Sequence, residues 1–172
     1  DGDQVYAIVL TGDNTPPSDL RFANVDPADV SVRNLDYTTK GGFYVSKISE
    51  DTHENGGAAE FTVSLSSAPD DGNSSTTDNV TITMASSDTS EGVITNVTGG
   101  VAGVDNNSTL VFTASNWNAA RTVTVTGQGD NLSDGDQVYA IVLTGDNTPP
   151  SDLRFANVDP ADVSVRNLDY TT

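Results

Sequence analysis

The stretch DGDQVYAIVLTGDNTPPSDLRFANVDPADVSVRNLDYTT occupies residues 1–39 and occurs again, without a single change, at residues 134–172. Each residue of the first copy therefore has an equivalent 133 positions later. An identity of this length indicates a tandem array in which one structural module is repeated. We accordingly predict two domains: residues 1–39 as the last two strands of one repeat, and residues 40–172 as one complete repeat.

The composition is strongly acidic, with 25 Asp and Glu residues against 7 Lys and Arg residues and a net charge of -18. Nucleic acid and anionic membranes are recognised by clustered Lys and Arg, so neither partner is expected. Divalent cations are the natural counter-charge, because calcium takes carboxylate and carbonyl oxygens. The alternative is that the acids only keep the protein soluble. The chain has no cysteine, which excludes disulfides and thiolate metal sites.

Apolar and polar residues alternate along several short segments that turn signals separate. In residues 59–65, Phe61, Val63 and Leu65 fall on one face, which is the period of a half-buried strand. Further strands are predicted at residues 5–10, 28–32, 43–48, 80–84, 92–97, 109–113, 121–127, 138–143 and 161–165. The continuous apolar run at residues 5–10, which the second copy repeats at residues 138–143, indicates a strand that is buried on both faces. No segment has a helical period, so the sequence predicts an all-β antiparallel sandwich with Greek-key connections.

Several segments of the complete repeat carry a resemblance to a known family. They are ENGGAAEFTVSLSSAP (residues 54–69), SSDTSEG (residues 86–92), STLVFTASNWNAARTVTVTGQGDNLSDGDQVYAIVL (residues 108–143) and DPADVSVRNLD (residues 159–169). This pattern resembles the Calx-beta-like repeats of very large bacterial surface proteins and adhesins. The resemblance implies an immunoglobulin-like sandwich, arranged in tandem, located outside the cell or on its surface, and in many members stiffened by calcium at the domain ends.

The resemblance also predicts the calcium ligands, which are the acidic residues Glu54, Asp130, Asp134, Asp136 and Asp169. Asp36 is the first-copy equivalent of Asp169 and lies beside the sequence KGG at residues 40–42. An ion shared with the neighbouring module at Asp36 would fix the angle between domains. Relatives often show a run of aspartates after the last strand, whereas this chain has Asn-Leu-Asp-Tyr there. A site at that end would therefore have fewer carboxylates.

Loops at one pole of an antiparallel sandwich can bring such carboxylates together and add backbone carbonyls. Calcium, with six to eight flexible oxygen ligands, suits this arrangement better than magnesium. The spacing DNLSDGD at residues 130–136 is not an EF-hand, because the bidentate glutamate at the twelfth position is missing. Each acid taken singly also fits a second interpretation, as a turn-former or a solvated side chain.

Two interpretations of the function remain. Identical repeats favour a structural extender or spacer of an extracellular surface fibre or adhesin, because reach grows with copy number whereas a binding site is needed only once. The alternative is a cell-surface module that binds a ligand or glycan through exposed loops, such as residues 69–78 or 99–108. An enzyme is not expected, because His53 is the only histidine and no serine is marked as the activated nucleophile of a triad.

Residues 1–39 supply only two strands, and a two-stranded hairpin is marginally stable alone in water. We therefore expect these strands to complete a sandwich with strands of another chain, or to be disordered when isolated. The expected partners are neighbouring repeats of the same protein or other copies of the chain. Strand exchange between them would either build a filament or a homo-oligomer, or result only from separating this segment from the rest of the array.

Overall fold

The structure is a computed structural model of the 172-residue chain. It describes residues 4–12, 25–34, 41–69, 79–100, 104–130, 132–145 and 153–170. The chain divides into two compact units, Asp1–Thr39 and Lys40–Thr172, and each is described by itself. Across the described residues, no helix has the length and apolar character needed to cross a membrane.

The smaller unit contains one antiparallel hairpin of two strands, β1 (Gln4–Ile8) and β2 (Val30–Asn34). All five residues of β1 are exposed. Beyond the end of β1, the Asp29 carboxylate accepts a hydrogen bond of 3.1 Å from the backbone N–H of Leu10. The hairpin is therefore held by its ladder and by local side-chain bonds, while its apolar side chains other than Val32 are exposed.

The larger unit contains nine strands in its described part: β3 (Phe43–Val45), β4 (Thr52–His53), β5 (Ala58–Leu65), β6 (Asn79–Ser86), β7 (Gly92–Thr98), β8 (Thr109–Thr113), β9 (Arg121–Gly127), β10 (Gln137–Gly145) and β11 (Val163–Leu168). One sheet has the order β4-β11-β10-β6-β8 and the other the order β3-β5-β9-β7. Neighbouring strands are antiparallel, except for the two-residue parallel pairing of β4 with β11. The predicted all-β sandwich is confirmed.

The connections between the sheets follow the predicted Greek-key pattern. β6 and β8 are neighbours in the five-stranded sheet, yet β7, which lies between them in the chain, belongs to the four-stranded sheet. β9 then lies between β5 and β7. The chain thus crosses from one sheet to the other three times between β6 and β9, which produces the immunoglobulin-like arrangement.

Inward-facing apolar residues of the two sheets form one core. Its buried members are Phe61, Val63, Leu65, Val80, Ile82, Met84, Leu110, Phe112, Val123, Val125, Tyr139, Ile141, Leu143, Phe155, Val163 and Val165. Trp117 packs against this core and is partly buried. The alternation along β5, β6, β8 and β9 agrees with the period predicted from the sequence.

Two features differ from the sequence-based expectation. The strand at residues 138–143 is buried on one face only, and Val138 on the other face is 70% exposed. The reason is that the outer face of the five-stranded sheet is open to solvent. The segment interpreted as a turn around His53 contains β4, which pairs with the end of β11. A buried Thr52 side chain holds β4 in place, through the hydrogen bonds described below.

A buried ion pair lies at the start of β9. The Arg121 guanidinium is 3.1 Å from the Asp105 carboxylate and 4.7 Å from the ring centroid of Phe112. It also donates to the carbonyls of Ala119 and Gly99 at 2.6 and 3.2 Å. The arginine stands in phase with the inward-facing valines of β9. Its burial is tolerated because the charge is paired and several of its N–H groups are bonded.

Candidate metal site

Several strand ends meet at one pole of the sandwich. Gly92 at the start of β7 lies opposite Gly127 at the end of β9, and Gln137 at the start of β10 lies opposite Asn167 near the end of β11. The Asn167 amide donates to the carbonyl of Gln128 at 2.9 Å, which brings the two pairs together. Six acids flank these strand ends and are called the acidic pole: Glu54, Glu91, Asp130, Asp134, Asp136 and Asp169.

Three acids of this pole lie close enough to share one ion. One carboxylate oxygen from each of Glu91, Asp130 and Asp134 lies within 4.8 Å of the other two. Glu91 is buried, Asp130 is half-buried and Asp134 is exposed. These three residues are called the Glu91 cluster. Three like charges at this distance repel one another, and a bound cation would reverse the sign of that interaction.

A short turn before β7 positions Glu91. The Asp88 carboxylate accepts hydrogen bonds from the hydroxyl and the backbone N–H of Ser90. These bonds, the hydroxyl bond first, lower the pKa of Asp88 below its usual 3.8. The N–H of Gly92 closes the turn on the Asp88 carbonyl at 3.1 Å. Only glycine fits at position 92, because a Cβ there would lie 2.0 Å from the Tyr139 hydroxyl oxygen.

Buried hydrogen bonds connect Glu91 to the interior. The amide of Asn167 donates to Glu91 Oε2 at 3.1 Å, and its Oδ1 accepts from the Thr52 hydroxyl at 3.0 Å. The Thr52 hydroxyl oxygen in turn lies 3.3 Å from the Tyr139 hydroxyl. Asn167 therefore orients the Glu91 carboxylate, and the network ties β4, β10 and β11 to the candidate site.

The charge of Glu91 reaches into this network. Burial raises the pKa of Tyr139 above its usual 10.0, the hydrogen bond with Thr52 lowers it, and the nearby Glu91 charge raises it further. A negative charge next to a buried phenol opposes formation of a phenolate. The pKa of Tyr139 therefore depends in part on the Glu91 charge.

The other three acids are held by backbone N–H groups. Gly135 N–H donates to Asp169 Oδ2 at 3.0 Å, Asp169 N–H donates to Asp136 Oδ1 at 3.3 Å, and Tyr170 N–H donates to Glu54 Oε2 at 3.2 Å. The second oxygen of Asp169, Oδ1, is buried and has no hydrogen-bond partner among the described residues. A buried carboxylate oxygen in this state is costly unless a donor or a cation meets it.

Arg166 competes for one acid of the pole. Its guanidinium lies 3.7 Å from Asp136 Oδ2 and bonds to Asp51 more closely. These acids raise the pKa of Arg166, the hydrogen bond with Asp51 first and the Asp136 charge least. Asp136 therefore already faces a positive charge. This makes it a weaker candidate ligand than the acids of the Glu91 cluster.

The predicted ligands thus differ in whether they belong to the Glu91 cluster. Asp130 and Asp134 belong to the Glu91 cluster, whereas Glu54, Asp136 and Asp169 accept hydrogen bonds from backbone N–H groups and are not part of the cluster. Asp36 lies outside the described residues, as do residues 70–78 and 101–103 of the two loops considered for ligand binding. Whether any of these acids binds a metal stays a prediction.

Sequence reasoning missed Glu91. The residue stands alone among the candidate ligands, in the segment SSDTSEG, some 40 positions before the acidic loop at residues 130–136. It joins that loop because β7 pairs with β9, so that Gly92 lies opposite Gly127. An acid directly before a predicted strand was the available signal. The strand pairing that brings Glu91 next to the acidic loop is a long-range property, which alternation along one strand does not reveal.

The donor set fits a hard divalent cation. Carboxylate oxygens from the Glu91 cluster, together with carbonyls of the connecting loop, are the ligand type that calcium takes in sites of six to eight oxygens. Within the described residues the cluster contains no histidine, and the chain has no cysteine, so softer metals find none of their preferred ligands. The unpartnered Asp169 Oδ1 is a further oxygen at this pole.

No family model matches the chain, and no curated protein is significantly similar to it in sequence. Among solved structures, the apo-form Calx CBD1 domain is similar with a TM-score of 0.42 and 15% identity, covering 77% of this chain and 99% of that chain. A chain of a type I cohesin–dockerin complex from Clostridium thermocellum is similar with a TM-score of 0.47 and 10% identity, covering 80% and 100%. The strand order itself makes this protein an immunoglobulin-like antiparallel β-sandwich.

Proposed function

We propose that the chain is a structural spacer repeat of an extracellular surface fibre or adhesin, stiffened by calcium at the acidic pole. The observation that carries this proposal is the Glu91 cluster. Glu91 precedes β7, Asp130 follows β9 and Asp134 precedes β10. An ion bound to all three would tie the loop between β9 and β10 to the start of β7. It would thereby stiffen the end of the domain.

The exact repetition supports the spacer role. In this proposal residues 1–39 end one repeat and residues 40–172 form the next, and neighbouring repeats or other copies of the chain are the partners. A net charge of -18 makes successive repeats repel, which calcium would relieve. Calcium sites of extracellular modules typically have a Kd of about 10⁻⁴–10⁻³ M, and a partly exposed cluster of three carboxylates suits that range. No enzymatic step is part of the proposal.

Thermal unfolding with calcium and with a chelator tests the proposal. At a calcium concentration of 100 times Kd, binding to the folded state alone adds about 2.7 kcal/mol. For a domain of this size we expect the unfolding midpoint to rise by roughly 5–10 °C. An unchanged midpoint, together with no calcium bound in equilibrium dialysis at millimolar free calcium, would falsify the calcium site.

A matched pair of substitutions assigns the effect to the Glu91 cluster. Glu91→Gln removes one ligand charge, so we expect most of the calcium-dependent rise in the midpoint to disappear. The control is Glu60→Gln, because Glu60 is exposed on β5 and bonds to Thr124 in the middle of a sheet face. That variant should keep the full rise. Equal calcium responses in the two variants would place the ion elsewhere.

A further inference from the structure

A cavity of about 440 Å³ opens at one side of the sandwich, between the segment that follows β3 and the start of β11. Val45 and Ile48 line it on one side, and Ala161 and Val163 line it on the other. Val163 belongs to the core, while Val45 and Ile48 are partly buried and pack against it. The volume lies within the range of about 300–1,000 Å³ that is typical of ligand sites, which are also mostly apolar. The cavity can therefore accept apolar side chains of a partner.

The cavity exists because the chain crosses between the sheets only after a further turn along β5. Beyond the end of β3, the backbone N–H groups of Ser46 and Ser49 donate to the carbonyls of Thr62 and Glu60 at 3.0 and 2.8 Å. The two serine hydroxyl oxygens accept hydrogen bonds of 2.9 Å from the N–H groups of the same two residues. The chain then joins the other sheet as β4, which pairs with the last two residues of β11. Within the described residues, the first half of β11 has no neighbouring strand on this side.

The open edge of β11 presents the backbone N–H and C=O groups of Ser164. Ser164 lies opposite Ala140, whose own N–H and C=O bond to Ser87 on the far side of β10, at 2.9 and 2.8 Å. Because the two members of an antiparallel pair face either towards or away from each other, Ser164 also faces away from β10. The carbonyl of Arg166, two residues later, has the same direction and accepts from the Thr52 hydroxyl. Neither backbone group of Ser164 has a partner among the described residues.

A lysine at the rim determines which charge the cavity favours. Lys47 lines the cavity, is exposed, and has no ion pair with any described residue. Asp162, the acid on the opposite rim, is engaged within the fold, because its carboxylate accepts a hydrogen bond of 2.9 Å from the N–H of Leu143. A carboxylate of a partner would therefore find an unpaired positive charge at Lys47.

We propose that the cavity and the adjoining edge of β11, together called the β11 edge site, bind an extended segment of another polypeptide. The segment pairs with the backbone of Ser164, places an apolar side chain between Ile48 and Val163, and carries a carboxylate that reaches Lys47. A strand fits better than a small molecule, because it supplies main-chain groups for the edge and alternate side chains for the cavity. The site shares no residue with the acidic pole, so the inference goes beyond the spacer function and does not depend on calcium.

A short peptide tests the proposal on the intact chain. The probe is Thr-Val-Thr-Val-Asp-Val-Thr, blocked at both ends, in which the valines share one face and the aspartate lies on the other. We expect an NMR titration to shift the backbone amide signals of Ser164 and Ile48, and hydrogen exchange at Ser164 to slow. Absence of these shifts at millimolar probe, or shifts concentrated at the free edges of β7 or β8, would overturn the proposal.

Two N-methylated probes distinguish strand pairing from adhesion to an apolar surface, and they leave the protein unchanged. Methyl groups on the odd-numbered residues block one hydrogen-bonding edge of the peptide, and methyl groups on the even-numbered residues block the other. One probe should keep most of the affinity, and the other should lose it by roughly tenfold or more, because its bonds to Ser164 cannot form. Equal affinities of the two probes would show that the peptide does not pair with β11, and would contradict the proposal.

An exchange of charges tests the role of Lys47. Lys47→Glu should weaken binding of the aspartate probe by roughly two- to fivefold, and should bind a probe with lysine in place of aspartate more tightly than the original chain does. Unchanged affinities would remove Lys47 from the site and with it the preference for an acidic segment. Protection of the Ser164 amide that rises with protein concentration, in the absence of any probe, would overturn the proposal in favour of a second copy of the chain at this edge.

Discussion

Tyr6 and Tyr139 occupy the same position of an identical sequence, yet Tyr6 is 51% exposed and Tyr139 is 4% exposed. The local geometry of the two copies is nevertheless the same. Leu10 N–H bonds to Asp29 as Leu143 N–H bonds to Asp162, and the corresponding glycine N–H groups at positions 12 and 145 each bond to an aspartate at 3.2 Å.

The comparison separates local from long-range determinants. The hairpin register and its aspartate bonds are encoded within the 39 residues, since they form in both contexts. Burial and the length of the first strand are not, since they change with the presence of β6 and the opposing sheet. How much a residue of this sequence contributes to the free energy of unfolding therefore depends on the strands against which its hairpin packs.

The largest predicted effect is the loss of unfolding free energy caused by a core cavity in the second copy, which the same substitution in the first copy does not create. Leu143→Ala empties space in the core, and we expect it to cost about 2–5 kcal/mol of unfolding free energy. Leu10→Ala is the same substitution on a partly exposed side chain and should change the stability of the domain by about 0.5 kcal/mol or less. Denaturant titration of both variants measures the difference. Similar losses would show that the first hairpin is part of the cooperative unit.

A smaller difference is predicted for the polar network. Asn167→Ala leaves buried Glu91 Oε2 and the carbonyl of Gln128 without a donor, and we expect a loss of about 1–3 kcal/mol. Asn34→Ala, at the exposed equivalent position, should cost about 0.5 kcal/mol or less. Thermal unfolding of both variants is then measured with calcium and with a chelator. A full calcium response in Asn167→Ala would contradict the idea that Asn167 orients the Glu91 carboxylate.

Much of the fold could be predicted from residues close together in the chain. The period of β5 and the phase of β9 correctly placed Phe61, Val63, Val123 and Val125 in the core. The same phase places Arg121 inward, although its charge argues for the surface. Only the fold supplies Asp105 from an earlier loop to pair with it. Alternation therefore identified which face is buried, but not how a charge on that face is compensated.

The residues of the candidate site can likewise be divided into those whose proximity follows from the nearby sequence and those that only the fold brings together. Asp130 and Asp134 share one loop, so their proximity follows from the sequence. Glu91 joins them through the pairing of β7 with β9, and Thr52 joins the network through a parallel pairing of two residues. A segment as short as β4 has no periodicity to detect. Its pairing with β11 is accompanied by a hydrogen bond from the buried Thr52 hydroxyl to Asn167, which links residues far apart in the chain.

The smallest predicted effect concerns the tyrosine with which the two copies were compared. Because the pKa of Tyr139 is raised by burial and by the Glu91 charge, the folded state holds the phenolic proton more tightly than the unfolded state. The resulting stability is fully present below pH 10, the usual pKa, and is lost as the pH rises above it. The unfolding midpoint of the original chain should therefore decline above pH 10 more steeply than that of Tyr139→Phe, which has no phenolic proton to lose. Glu91→Gln should decline less steeply than the original chain, because one of the two causes of the raised pKa is gone. If the alkaline declines of the original chain and Tyr139→Phe coincide, Tyr139 does not report on the Glu91 charge.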